Sequence, residues 1–184
     1  SNRVIQNYFK LKRVCGVVMK KAMFWVSKPN NIVQCTLCAH NCKIKPGKRG
    51  ICKVRVNKEG ILYTMVYGLV SPGVVDPIEK KPLYNFYPGS RVYSFGTISC
   101  NFKCDNCQNW HISQISPNLK MIKSVPPETA VSTALQHNCQ GIAWTYNEPT
   151  IWFEYTYYGS KVAKKKKLYT VYVTNGFINA KPLK

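Results

Sequence analysis

The chain has 184 residues, 45% of them hydrophobic and 18% charged, an ordinary globular composition rather than a disordered or fibrous one. It contains no apolar run near the roughly 18 residues that a membrane helix needs, and its start lacks the basic, apolar and small-residue order of a signal peptide, so a cytoplasmic protein is expected. Lys and Arg total 27 against seven acids, a net charge of +20, which keeps nucleic acid, an anionic surface and an acidic partner open as counterparts.

Residues 1–60 hold 14 of the basic residues and one acid, Glu59; residues 1–18 read as a basic, mildly apolar extension. There are nine cysteines, an odd number with no disulfide-like spacing, which points to reduced thiols and to metal or redox chemistry. Cys15 and Cys139 stand alone and read as small buried apolar residues. Residues 31–58 are rich in Cys, Lys, Gly and Asn, and such a segment cannot build a core alone. Cys35, Cys38, Cys42 and Cys52 are spaced C-x2-C-x3-C-x9-C, with His40 inside and Gly47 and Gly50 as turn residues. Four soft ligands in so short a span suit a tetrahedral structural zinc ion; an auxiliary iron–sulfur cluster is the alternative, because thiolate number alone does not choose the metal.

Ile61 to Tyr67 reads as a strand, and Ser71 to Ser90, with four prolines, as a mostly irregular connector. Arg91 to Phe95 is a strand broken by Gly96. Pro126-Pro127-Glu128 opens a helix running to about Asn138, with Ala130, Val131, Ala134 and Leu135 on one face. Gly141 to Tyr146 is the next strand, Thr150 to about Lys166 the next helix, and Leu168 to Val173 a third strand stopped by Asn175-Gly176. Lys164 to Lys167 sit favourably at the negative end of that helix dipole. Near-continuous apolar strands separated by long crossovers predict parallel pairing, hence an α/β sheet or partial barrel. Ligands gather at the carboxyl ends of such strands. The segments there are the cysteine loop at 100–107, Asn147-Glu148-Pro149 and Thr174-Asn175-Gly176, which should share one rim. The third strand should leave an unpaired apolar edge.

Cys100, Cys104 and Cys107 form a C-x3-C-x2-C loop. Three thiolates this close can hold three corners of an iron–sulfur cube and leave the fourth iron without a protein ligand. A closed zinc site would need a fourth ligand, for which His111 is the candidate.

This loop resembles the cluster motif of radical SAM enzymes. Around it, Asp76-Pro77-Ile78-Glu79-Lys80-Lys81-Pro82-Leu83, Pro88-Gly89-Ser90, Cys107-Gln108-Asn109-Trp110, Thr145 to Thr150 (TYNEPT) and Thr174-Asn175-Gly176 resemble the radical SAM protein of the AmmeMemoRadiSam system, itself similar to pyruvate formate-lyase activating enzymes. The likeness runs from about Met19 to Lys184. It implies that Cys100, Cys104 and Cys107 bind a 4Fe-4S cluster whose open iron chelates S-adenosylmethionine, for reductive cleavage to a 5′-deoxyadenosyl radical and attack on an unidentified substrate. It places Glu148 where related enzymes meet the methionine ammonium, with Asn147, Thr174 and Asn175 beside the cofactor. Asn106 stands where the family usually has an aromatic residue near the adenine, and Thr145 and Asn147 replace glycines. The implied fold is the amino-terminal half of a radical SAM partial (β/α)6 barrel, at 91–184. It is preceded by a small Cys-rich, metal-stabilised module at 19–60 and a connector at 61–90. The likeness stops inside the third of six units, which implies a fragment, an interrupted gene, an inactive remnant or one piece of a split enzyme. A flavodoxin- or ferredoxin-like electron donor is implied, and a carboxyl-terminal partner chain or a protein substrate stays open. A rival reading is a zinc-binding nucleic-acid module, supported by the charge and by 12 Tyr, 7 Phe and 4 Trp available for stacking.

Overall fold

The computed structural model describes residues 12–14, 17–117 and 124–184, and only the backbone of 12–14, 17 and 18. Cys15 and most of the amino-terminal extension lie outside the described residues. Among the described residues the strands form three sheets. In the first, β1 (Lys12–Val14), β2 (Val17–Lys21), β6 (Arg55–Lys58) and β7 (Ile61–Thr64) pair antiparallel in the order β1-β2-β7-β6. The second is an antiparallel meander of β3 (Trp25–Lys28), β4 (Ile32–Cys35) and β5 (Lys43–Ile44). The third has the order β11-β10-β9-β8, where β9 (Arg91–Phe95), β10 (Gly141–Trp144) and β11 (Tyr169–Tyr172) run parallel and β8 (Val74–Pro77) is antiparallel to β9.

The parallel strands are covered on both faces, as their apolar runs require. After the single-turn α1 (Trp110–Ser113), α2 (Pro127–Gln136) and α3 (Phe153–Lys165) lay Ala130, Val131, Ala134, Tyr155 and Ala163 on one side against Phe95, Ile142 and Trp144. On the other, Ile78 from a single 3-10 turn (Ile78–Lys80) packs with Val92, Ala143 and Val171. β11 is an edge of this sheet, with Tyr172 and Val173 exposed. The third helix starts later than its sequence suggests, because Pro149–Trp152 forms a 3-10 turn first. Trp152 stacks on Tyr155 at 4.4 Å and donates its indole N–H to the Val66 carbonyl at 2.7 Å, which fixes the helix entry.

Gly159 on α3 faces Trp144, whose ring atoms would lie 2.7 Å from an added Cβ. Helix propensity alone would make Gly159→Ala favourable by up to about 1 kcal/mol. The buried, immobile indole reverses the sign, and a loss of about 1–3 kcal/mol is expected from the urea midpoint.

The connector departs from expectation at Val74–Pro77. Its prolines argue against a strand, yet β8 is an edge strand and Pro77 is its last residue, where a missing N–H costs little. Asp76 pins it there, although its side chain is almost wholly buried: the carboxylate accepts from Ser94 Oγ at 2.7 Å and from Lys80 and Lys81 Nζ at 2.8 Å each. Burial works to raise its pKa, but these donors outweigh it and hold the carboxyl at about 2, against an ordinary 3.8. A depressed folded value gives stability that is complete above about pH 4 and is lost as pH falls through about 2. The Lys80 arm is solvent-exposed, so the contribution is on the order of 1–2 kcal/mol. Denaturation in urea at pH 6 and pH 2.5 should show this loss in the native chain and a flatter response in Asp76→Asn.

The cysteine-rich front does have apolar packing: Ala22, Val33, Cys35, Leu37, Ile44 and Leu62 cluster with Phe24, Trp25, Cys42 and Phe153. Leu62 and Phe153 come from outside the segment, so this core is completed by β7 and α3. No helix among the described residues is long and apolar enough to cross a membrane.

Candidate active site

Hydrogen bonds tie together the loops that follow the three parallel strands. After β9, Ser99 is held with φ +71°, a left-handed conformation costly for a residue with a Cβ. Its N–H donates to Ile112 O, its hydroxyl donates to Cys52 O, and its carbonyl accepts from Asn147 Nδ2 at 2.6 Å. Asn147 Oδ1 also accepts from Thr97 N. After β10, Tyr146 has φ +73°, and its carbonyl accepts from Asn109 Nδ2 at 2.7 Å. After β11, Gly176 adopts φ +73°, which only glycine does cheaply. So each turn is bent out of the ordinary backbone range and braced from outside its own loop or by a glycine.

Glu148 lies where these loops converge and is only 1% exposed. Its Oε1 accepts from Thr150 N at 2.9 Å and from Thr174 Oγ1 at 2.7 Å, and its Oε2 accepts from Asn175 N at 2.8 Å. It is therefore no surface acid in a turn. Asn175 Nδ2 donates on to Asn101 Oδ1 at 3.0 Å, which links the third-strand turn to the residue beside Cys100. Asn101 Nδ2 is buried with no hydrogen-bond partner. Among the described residues Glu148 takes part in no ion pair; the pairs are Arg55–Glu154, Lys80–Asp76 and Lys81–Asp76.

All three loop thiols are free. Cys104 is exposed, while Cys100 and Cys107 are half-buried. Cys100 Sγ accepts from Phe102 N at 3.4 Å, and Cys107 Sγ lies 3.2 Å from Ser113 Oγ. Burial pushes the Cys100 thiol above its ordinary value, Phe102 N–H opposes this, and nearby Glu148 and Cys104 push it further up. His111 is exposed and faces Trp110, so it is not gathered with the cysteines. Asn106 is exposed too and has no part in the network of Glu148, Asn175 and Asn101.

Residues 95–184 match the radical SAM superfamily. A radical SAM superfamily domain is present. An uncharacterized protein of Methanocaldococcus jannaschii is 44% identical over 166 residues, covering 90% of this chain and 50% of that protein. The chain thus spans about half the length of the curated relative it matches. No solved structure matches it. The radical SAM domain comprises the end of β9, the cysteine loop, the two parallel crossovers and the Thr174–Gly176 turn.

Among the described residues, no group of three or more His, Cys, Asp or Glu surrounds a single metal-sized centre. The four front cysteines line a common cavity. Burial pushes the Cys38 thiol up, with nearby Cys35 and Cys42 adding to it, and burial pushes the Cys52 thiol up to about 12. Cys139 is buried in the main core. Sequence reasoning missed Asn101, Ser99 and the contact of His40 Nε2 with Asn101 O at 2.9 Å. Only their adjacency to Cys100 and Cys38 could have drawn attention to them.

Proposed function

We propose that this chain is the cluster-bearing part of a radical SAM enzyme of the AmmeMemoRadiSam kind, similar to pyruvate formate-lyase activating enzymes. Its three parallel strands would be the first of a (β/α)6 barrel. When bound, a 4Fe-4S cluster and S-adenosylmethionine supply reductive cleavage of the sulfonium to a 5′-deoxyadenosyl radical. The donor set fits: three free thiols stand in one loop, at the carboxyl end of a parallel strand, with one of them exposed. Cys100, Cys104 and Cys107 would hold the cluster.

The observation that carries the reading is Glu148. A carboxylate buried to 1% exposure normally has a cationic partner, and this one is held only by three neutral donors. An ionised carboxylate has about four acceptor sites, so one is left for a ligand ammonium. Thr174 and the Asn175 N–H fix its orientation, and Asn147 fixes the backbone before Cys100. A flavodoxin- or ferredoxin-like donor is the proposed source of electrons, and the substrate is left unassigned.

Anaerobic reconstitution with iron and sulfide should give roughly four of each per chain and a broad visible band that dithionite bleaches. Addition of S-adenosylmethionine should then release 5′-deoxyadenosine. A chain that takes up zinc but no sulfide at Cys100, Cys104 and Cys107 would overturn the reading.

A further inference from the structure

We infer that Cys35, Cys38, Cys42 and Cys52 form a second, mononuclear metal site of the zinc class, which braces the Cys100–Cys107 loop from behind. The four cysteines reach one place from different elements. Cys35 ends β4, Cys42 precedes β5 and pairs with it through Cys35 N to Cys42 O at 3.0 Å, Cys38 lies in the turn between them, and Cys52 comes from the loop before β6. All four line one cavity of about 10 Å³. Four thiolates are the donor set of a closed tetrahedral site for a single soft ion. Gly50 borders it: a Cβ there would meet Ile44 at 3.3 Å and the Cys42 sulfur at 3.6 Å.

Charge supports the assignment. Four thiols lose their protons to solvent as a divalent ion binds, leaving a complex with two net negative charges. Arg55 is 1% exposed, lines the same cavity, and directs Nη1 at Cys35 Sγ from 3.9 Å. Its Nη2 is already paired with Glu154, so what Arg55 offers the site is its Nη1 arm, which can donate to a metal-bound Cys35 thiolate. His40 also borders the cavity, with its Nε2 donating to Asn101 O and its ring packed edge-on against Phe177 at 4.9 Å. The four cysteines line the cavity, but among the described residues no three of them already form a metal-binding group, so holding one ion requires their side chains to move toward a common centre.

The bracing follows from two contacts. Ser99 Oγ donates to the carbonyl of Cys52 at 2.8 Å, and His40 Nε2 holds the carbonyl of Asn101. These residues flank Cys100, so an ion that rigidifies the front loop also fixes the first cluster thiol.

The test uses the full chain carrying Cys100→Ser, Cys104→Ser and Cys107→Ser, so its result is independent of the radical SAM reading. About one zinc per chain should survive desalting. Adding Cys38→Ser should cut retention at least tenfold. Should that variant unfold, cobalt titrated into the chelator-treated triple variant provides the second measurement: one equivalent with the strong sulfur-to-cobalt absorption of a four-thiolate tetrahedral site is expected. Iron with sulfide at these cysteines, no zinc or cobalt uptake, or full zinc retention after Cys38→Ser would each overturn the assignment.

Discussion

Cys104→Ser should abolish iron and sulfide incorporation at the 100–107 loop while leaving the fold nearly untouched. Of the three loop cysteines, Cys104 is the exposed one. Its backbone carbonyl receives Cys107 N–H at 3.3 Å, a turn contact that serine keeps. Replacing an exposed sulfur by oxygen therefore lies among surface substitutions, within about 0.5 kcal/mol of neutral. A serine hydroxyl, by contrast, stays protonated near neutral pH and is a hard ligand for an iron site that selects soft thiolates. Iron and sulfide per chain should fall at least tenfold on reconstitution, 5′-deoxyadenosine release should vanish, and the urea midpoint should not move. Cys107→Ser is the less clean experiment, since that sulfur lies 3.2 Å from the buried Ser113 hydroxyl and its loss would also disturb packing. If Cys104→Ser kept full iron and sulfide, the third corner of the cluster would have to come from elsewhere.

Local pattern carried the sheet and its helices because their signals are strong and period-bound. Val92, Tyr93 and Phe95 make Arg91–Phe95 a short strand ended by glycine, and Pro-Pro-Glu is a strong helix-start signal for α2. The rim could be read from the same source: once the strands are parallel, their following loops must share an end. Placing Glu148 there was legible, but its burial was not. A carboxylate before a proline reads equally well as a turn residue, and only the tertiary donors Thr174 and Asn175 make it a buried one. β8 escaped because pairing with β9, rather than its own pattern, makes it a strand. Asn101 escaped for a similar reason: its partners, His40 and Asn175, lie 61 and 74 residues away. Arg55 and Glu154 sat in a basic loop and an aromatic helix, where nothing in the sequence marks a charge as buried.

That pair carries the largest expected effect on stability. Arg55 is 1% exposed and Glu154 fully buried, and they form a direct ion pair that joins β6 to α3. Arg55 Nη1 also donates to Met23 O at 2.9 Å, and Met23 N donates to Glu154 Oε1 at 2.7 Å, which locks the turn before β3 into the same knot. Burial works against the guanidinium, yet Glu154, Cys35 and Cys52 hold its pKa above the ordinary arginine value. Arg55→Ala strands the Glu154 carboxylate in the core and leaves a void, and a loss of about 3–5 kcal/mol is expected from the urea midpoint. The network is also incompletely satisfied, because Arg55 Nε and Glu154 Oε2 have no hydrogen-bond partner. Replacing both residues with leucine removes the stranded charge and those two orphaned atoms together. Arg55→Leu/Glu154→Leu should therefore cost less than Arg55→Ala alone, even though it removes more hydrogen bonds. A double variant as unstable as the sum of its single changes would mean that the two charges act separately, one on the Met23 turn and the other on the thiols.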